Sequence, residues 1–305
     1  MLIDGAGFCS FGAETILSGM NTNASTSPSG NGNAPAADRA TRMPVLFVPH
    51  GAGPCFFMDW NPADTWDRMA AFLKGVAGTL PEAPRAIVLV SGHWLEPGFS
   101  VTGGARPALI YDYSGFPAHT YELTYPAPGE PALADRIVQL LGEAGEQARV
   151  DPQRGYDHGV FIPLKLMFPK ADVPVVQLSL RRDMDPAAHI AAGRALASLR
   201  DEGVLIVGSG MSFHNMRGYG DPRYTPVSAK FDAWLTAAIE SPTEQREALL
   251  REWASAPHAR DSHPPGGEEH LLPLLVAAGA GAGSEGRKAY SEEVMKTSLS
   301  AFRFG

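Results

Sequence analysis

Ala86-Ile-Val-Leu-Val-Ser-Gly-His93-Trp94 is the stretch on which the fold turns. It opens with a short apolar run without polar alternation, the pattern of a strand covered on both faces, and such strands are typical of parallel sheets. The run breaks at Ser91-Gly92 and then presents a histidine. The same order of residues occurs in Val45-Leu-Phe-Val-Pro-His50-Gly51 and in Val204-Leu-Ile-Val-Gly-Ser-Gly-Met-Ser-Phe-His214-Asn215. Val173–Leu178 is a further strand of this type. Helical signals lie between the strands. Pro131–Glu146 carries Leu133, Ile137, Leu140 and Leu141 at helical spacing. Asp185-Pro186 reads as an N-cap followed by proline at the first helical position, with Gly203 suited to ending that segment. Ser241-Pro-Thr-Glu244 has the form of a capping box. Strands alternating with helices predict an α/β protein: a single domain with a mainly parallel central sheet flanked by helices.

The N-terminal part reads differently. Residues 18–40 are rich in Ser, Asn, Gly, Ala and Pro and offer little to bury, so residues 1–42 are expected to form a disordered segment and residues 43–305 the folded α/β domain. The head lacks the early positive charge and clean apolar core of a signal peptide. Met20 and Met43 are alternative starts. The formal net charge of −8 and the absence of a Lys/Arg stripe argue against a nucleic-acid partner. No apolar run is long enough to span a bilayer. Two cysteines, Cys9 and Cys55, offer neither a disulfide framework nor a Cys-based zinc site, which suits the cytoplasm and leaves His and carboxylate to hold any metal.

Nine histidines are available. In open α/β sheets ligands bind at the carboxyl ends of the strands. His50, His93 and His214 each follow a predicted strand and are expected to converge on one sheet edge. A single such histidine reads more simply as a loop residue; three at equivalent positions favour a site. His158 follows a turn, Gly155-Tyr-Asp157. His270, in Gly267-Glu-Glu-His270-Leu-Leu-Pro273, opens an apolar helix. Glu268 and Glu269 there suit a helix N-terminus electrostatically, and either Glu269 or His270 is a candidate third metal ligand. His189 is placed on the wet face of its helix, His119 and His258 in polar loops, and His263, before Pro264 near the site loop, is a minor candidate for lining the pocket. Trp94, Phe116, Tyr125 and Phe213 are candidate walls of an aromatic pocket, with core packing as their simpler role.

Together these segments resemble the DODA-type class III extradiol dioxygenases, the family related to 4,5-DOPA dioxygenase. The resemblance runs from about Met43 to Gly305. It rests on the His50-Gly turn, Ser91-Gly-His-Trp94, Gly115-Phe-Pro117 with Tyr125-Pro-Ala-Pro128, Asp157-His-Gly159, Gly208-Ser-Gly210 through His214-Asn215, Glu269-His-Leu-Leu-Pro273, and Ser300-Ala-Phe-Arg-Phe-Gly305. Gly92 stands where Ala is common, and Gly266-Gly267 lengthens the loop before Glu268. The resemblance implies His50, His93 and His270 as metal ligands, His158 as the general acid/base, and His214 as a second active-site histidine acting as base or metal neighbour. It implies a non-haem Fe(II) enzyme that opens a catechol-type ring with O2, with Zn(II) possible in the isolated protein. A small aromatic diol and O2 would be its partners, and a homo-oligomer is left open. The rival readings are a zinc-dependent hydrolase and a non-enzymatic binding protein on the same fold.

Overall fold

The computed structural model describes residues 41–305; the expected disordered segment, apart from Thr41 and Arg42, lies outside the described residues. The regular elements run β1 (Val45–Pro49), α1 (Asp67–Gly75), β2 (Ala86–Glu96), β3 (Phe99–Thr102), α2 (Pro131–Glu143), β4 (Ala148–Asp151), α3 (His158–Met167) and β5 (Val175–Arg181). They continue with α4 (Pro186–Leu196), β6 (Val204–Gly210), α5 (Thr225–Glu240), α6 (Thr243–Arg251), α7 (Ala259–Ser262), α8 (Leu272–Ala280), β7 (Gly286–Val294) and β8 (Thr297–Phe304).

The strands form one eight-stranded sheet in the order β4-β3-β5-β2-β6-β1-β8-β7. The central quartet β5-β2-β6-β1 is parallel throughout. Antiparallel pairing is confined to the β3–β5 contact and to β8 and β7 at the other edge. Side chains alternate between faces along a strand. Val45 and Phe47 of β1 accordingly join a core with α2, α4, α5 and α8, whereas Leu46 and Val48 join a second core with α1 and α3. Burial on both faces is why the central strands carry no polar alternation.

The helix from Asp185 behaves as its signals indicate. The Asp185 side chain accepts from the Ala187 N–H, and after a 3-10 turn the segment ends at Gly203 with φ of 75°. The capping box does not form. Pro242 takes the N-cap position of α6, and the Ser241 hydroxyl donates to the Ala237 carbonyl instead. Among the described residues no helix is long and apolar enough to cross a membrane.

Candidate metal centre

The register of the parallel quartet brings the site together. Pro49, the last residue of β1, lies beside Gly210 at the end of β6, and Ser209 of β6 lies beside Ser91 of β2. His50 leaves β1 with its N–H donating to the Gly210 carbonyl at 3.2 Å. His93 does not follow its strand: β2 continues to Glu96, and His93 sits where its pairing with β5 shifts register between Val90 and Leu95. That irregularity turns the histidine toward the strand ends, an effect bulges have in general. His270 precedes α8, and its carbonyl accepts from the Met211 N–H at 2.9 Å, tying it to the end of β6. Three distant segments therefore deliver imidazoles to one point.

Nε2 of His93 lies 3.2 Å from Nε2 of His50 and 3.2 Å from Nε2 of His270. The hydrogen bonds around the His50 and His270 rings assign their protons. The Ser209 hydroxyl donates to the Gly159 carbonyl, so it accepts from Nδ1–H of His50 at 3.1 Å. Nδ1–H of His270 donates to Glu269 at 2.8 Å. Nδ1 of His93 faces Asp112 at 3.7 Å, within ion-pair range. His50 and His270 are thus hydrogen-bonded through Nδ1, His93 has a carboxylate facing its Nδ1, and all three rings turn Nε2 inward. Burial, then the neighbouring histidines, holds His50 and His270 well below the ordinary imidazole range. Burial and then His158 push His93 down to about 3, against the opposing pull of Asp112. Three neutral imidazoles aiming lone pairs at one another repel unless a cation lies between them. This donor set fits a divalent metal such as iron or zinc, and partners on the outer nitrogen are what orient metal-binding histidines.

Two further histidines flank the trio. His158 is the first residue of α3, and its ring centre lies 3.9 Å from that of His93. Asp112 accepts from its backbone N–H at 2.9 Å and from its Nδ1–H at 2.8 Å, leaving Nε2 available. The close approach of α3 to β2 needs Gly159, because a Cβ there would stand 2.3 Å from the Ser91 hydroxyl oxygen and 3.0 Å from the His93 ring. Asp157 is fully buried and committed elsewhere, accepting from Ser91 at 2.7 Å, from Arg154 at 3.1 Å and from Gln177. His214 stacks on His270 with ring centres 3.4 Å apart and planes 16° from parallel. Its Nδ1 lies 3.7 Å from Glu269, and burial lowers it to about 4.

Glu269 therefore sits behind His270, on the Nδ1 side. Burial, with Glu268 adding to it, raises its carboxyl. Asp112 was not among the candidates from sequence. It lies in a loop without periodicity, and the only local sign is its place between Tyr111 and Tyr113. The aromatic walls are also redistributed. Trp94, Tyr125 and Phe213 are buried in packing, while half-buried Phe116 packs against Tyr113, whose ring meets His158 edge-on at 5.6 Å. His263 is core: fully buried, it donates from Nε2 to the Ser212 carbonyl and packs against Phe231 and Trp253. His189 is also buried, contrary to its expected wet face, with Nδ1 donating to the Asp185 carbonyl and Nε2 accepting from the Arg181 N–H.

Residues 44–302 match the family described as the catalytic LigB subunit of aromatic ring-opening dioxygenase. The chain belongs to this family. Relatives of the LigB-type chain include "4,5-DOPA dioxygenase extradiol" of Beta vulgaris, 42% identical over 77% of this chain and 86% of that one. The protein of the same description from Escherichia coli K12 is 39% identical over 81% and 88%. "Dioxygenase tasH" of Hapsidospora irregularis is 36% identical over 88% of each chain. Among solved structures, an uncharacterized protein of Escherichia coli K12 is similar with a TM-score of 0.68 and 34% identity, covering 87% of this chain and all of that one. The chain is a member of an extradiol, ring-opening dioxygenase family, with a buried, metal-capable histidine cluster at its strand ends.

Proposed function

We propose that this LigB-family enzyme is a cytoplasmic, Fe(II)-dependent extradiol dioxygenase that opens a catechol-type ring, with His50, His93 and His270 holding the metal. The observation that carries this reading is the convergence of three inward-facing Nε2 atoms, with His50 and His270 hydrogen-bonded through their other nitrogen and Asp112 facing that of His93. Three protein ligands leave positions open for substrate. Bound iron would supply the redox chemistry that joins the diol ring to dioxygen. The chain supplies orientation and proton transfer. Held by Asp112 through Nδ1–H, His158 can take a proton at Nε2 from the diol and return one later in the reaction. His214, stacked on His270, is the second histidine available to a bound diol. Phe116 and Tyr113 give the ring an apolar surface beside His158.

The test is anaerobic loading with Fe(II), followed by a catechol panel scored by oxygen consumption and by the spectrum of the ring-opened product. Oxygen uptake stoichiometric with ring opening is expected. A zinc-loaded protein that hydrolyses esters or amides, with no oxygen uptake on iron, would instead support the hydrolase reading. Elemental analysis adds a second arm: His50→Ala/His93→Ala should bind no metal while keeping its circular dichroism. His158→Ala should retain iron and bind catechol, yet turn over at least about a hundredfold more slowly, the typical cost of losing a general acid/base. Loss of iron in step with activity would reassign His158 as a ligand.

A further inference from the structure

The loop between β3 and α2 holds one carboxylate against two histidines of the site at once. Asp112 accepts twice through one oxygen, from the backbone N–H of His158 at 2.9 Å and from its Nδ1–H at 2.8 Å. Its other oxygen faces Nδ1 of His93 at 3.7 Å. The loop is fixed on either side of this residue. Ile110 N–H donates to the Tyr156 carbonyl, and Tyr156 N–H donates to the Ala108 carbonyl, both at 2.8 Å. The phenol of Tyr111 donates to the Leu123 carbonyl and that of Tyr113 to the Thr120 carbonyl, each at 2.6 Å. Asp112 thus stands between two anchored tyrosines, and a carboxylate held this way can impose direction on what it binds. The nearby alternative, Asp157, is occupied by Ser91, Arg154 and Gln177.

We propose that Asp112 is a positioning residue that locks His158 in its Nδ1–H tautomer and first-turn orientation, so that Nε2 stays free to exchange protons beside the metal-binding face of His93. The proposal rests on the reading of His158 as the proton-transfer group. An imidazole without this partner can move its proton to Nε2 or rotate, and either change removes the acceptor where the reaction needs it. The contact with His93 is longer than a hydrogen bond, so the main effect falls on proton transfer and the lesser one on metal affinity.

The test combines a mutant cycle with a direct view of the ring. In iron-loaded protein, Asp112→Ala should lower kcat by more than about tenfold, within the range for disabling a general acid/base, while KM for the catechol changes little. Metal affinity should fall less than about tenfold, the low end for losing an outer partner of a ligand. Asp112→Asn keeps an oxygen acceptor for His158 and should recover part of the rate. The double variant Asp112→Ala/His158→Ala should be no slower than His158→Ala alone, because the two residues act as one unit. In zinc-loaded protein, long-range nitrogen–proton spectra assigned through His158→Ala should show His158 as the Nδ1–H tautomer, and Asp112→Ala should lose that preference. Additive losses in the cycle, or an unchanged tautomer in Asp112→Ala, would overturn the proposal. Full activity of His158→Ala would instead remove His158 from the mechanism, and the spectra would still decide whether Asp112 holds its ring.

Discussion

At the scale of single residues, Glu269 and His270 are adjacent in sequence but face the site in different ways. The His270 Nε2 points at His93, whereas the Glu269 carboxylate receives the Nδ1–H of His270 from behind. His270→Ala should therefore abolish tight metal binding. Glu269→Gln keeps an oxygen acceptor and should cost no more than the roughly 10- to 100-fold typical of an outer partner. Cobalt or zinc titration of the two variants checks the order; a more damaging glutamate change would restore the two-histidine, one-carboxylate reading. A second residue-scale prediction concerns His263, whose burial lowers it from 6.5 to about 3. Between those values the unfolded chain takes up the proton and the folded one does not, so stability falls as pH drops through this window. His263→Phe should lose about 1 kcal/mol near pH 7 with the hydrogen bond to Ser212. Its stability should then decline less steeply between pH 6 and pH 4, by up to about 1.4 kcal/mol per pH unit. Urea melts across that range provide the comparison.

At the scale of elements, the close packing of β6 against the segment entering α8 sets the position of His270. A Cβ at Gly210 would come within 2.1 Å of the His270 carbonyl oxygen, a backbone atom that cannot swing aside. Gly210→Ala should displace that segment, lower the melting temperature and weaken metal binding by more than about tenfold, since ligand sets tolerate little misplacement. Gly142→Ala is the matching control. It lies within α2 with open space where a Cβ would go, so it should stabilise the protein by about 0.5–1 kcal/mol with no effect on metal. The same packing explains what the sequence could reveal. The strands of the parallel quartet are legible because burial on both faces writes itself as unbroken apolar runs, and the strand-end rule then gathers His50 and His214 without any knowledge of distances, whereas His93 lies within β2 and reaches the site through a register shift that the rule does not foresee. What was not legible depends on contacts between remote segments. The Ser241 box fails because Pro242 takes the cap position and the serine bonds back to Ala237. His189 and His263 are polar in isolation, yet each is buried with its own hydrogen-bond partner. Asp112 belongs to a loop whose conformation is fixed by Tyr156 and by the two tyrosine anchors, none of which leaves a periodic trace.

At the scale of the whole molecule, Met43, two residues before β1, is firmly tied into the fold. Its side chain is fully buried, its N–H donates to the Arg200 carbonyl at 3.0 Å, and its carbonyl accepts from Nε of Arg200 at 2.7 Å. Arg200 is itself buried and also donates to the Ala280 carbonyl, so Met43 is stitched to both the end of the α4 segment and the end of α8. One residue earlier the ties weaken. Arg42 pairs with Asp201 at the surface, with both side chains about half exposed, and such pairs are worth about 0–1 kcal/mol. The family match begins at residue 44. We therefore propose that residues 1–42 are dispensable. Ordering a backbone costs about 1–2 kcal/mol per residue, and residues 18–40, rich in Ser, Asn, Gly, Ala and Pro, have little apolar surface with which to offset it. A chain beginning at Met43 should melt within about 2 °C of the full chain, the change expected when less than about 1 kcal/mol is lost from a protein of this size. It should also bind one metal and open catechols at the same rate. The informative comparison is with Met43→Ala in the full-length chain, which should cost about 2–5 kcal/mol by leaving a cavity beneath the sheet end. If removing residues 1–42 proves as damaging as that substitution, the head docks on the domain and the boundary must be moved toward the N-terminus.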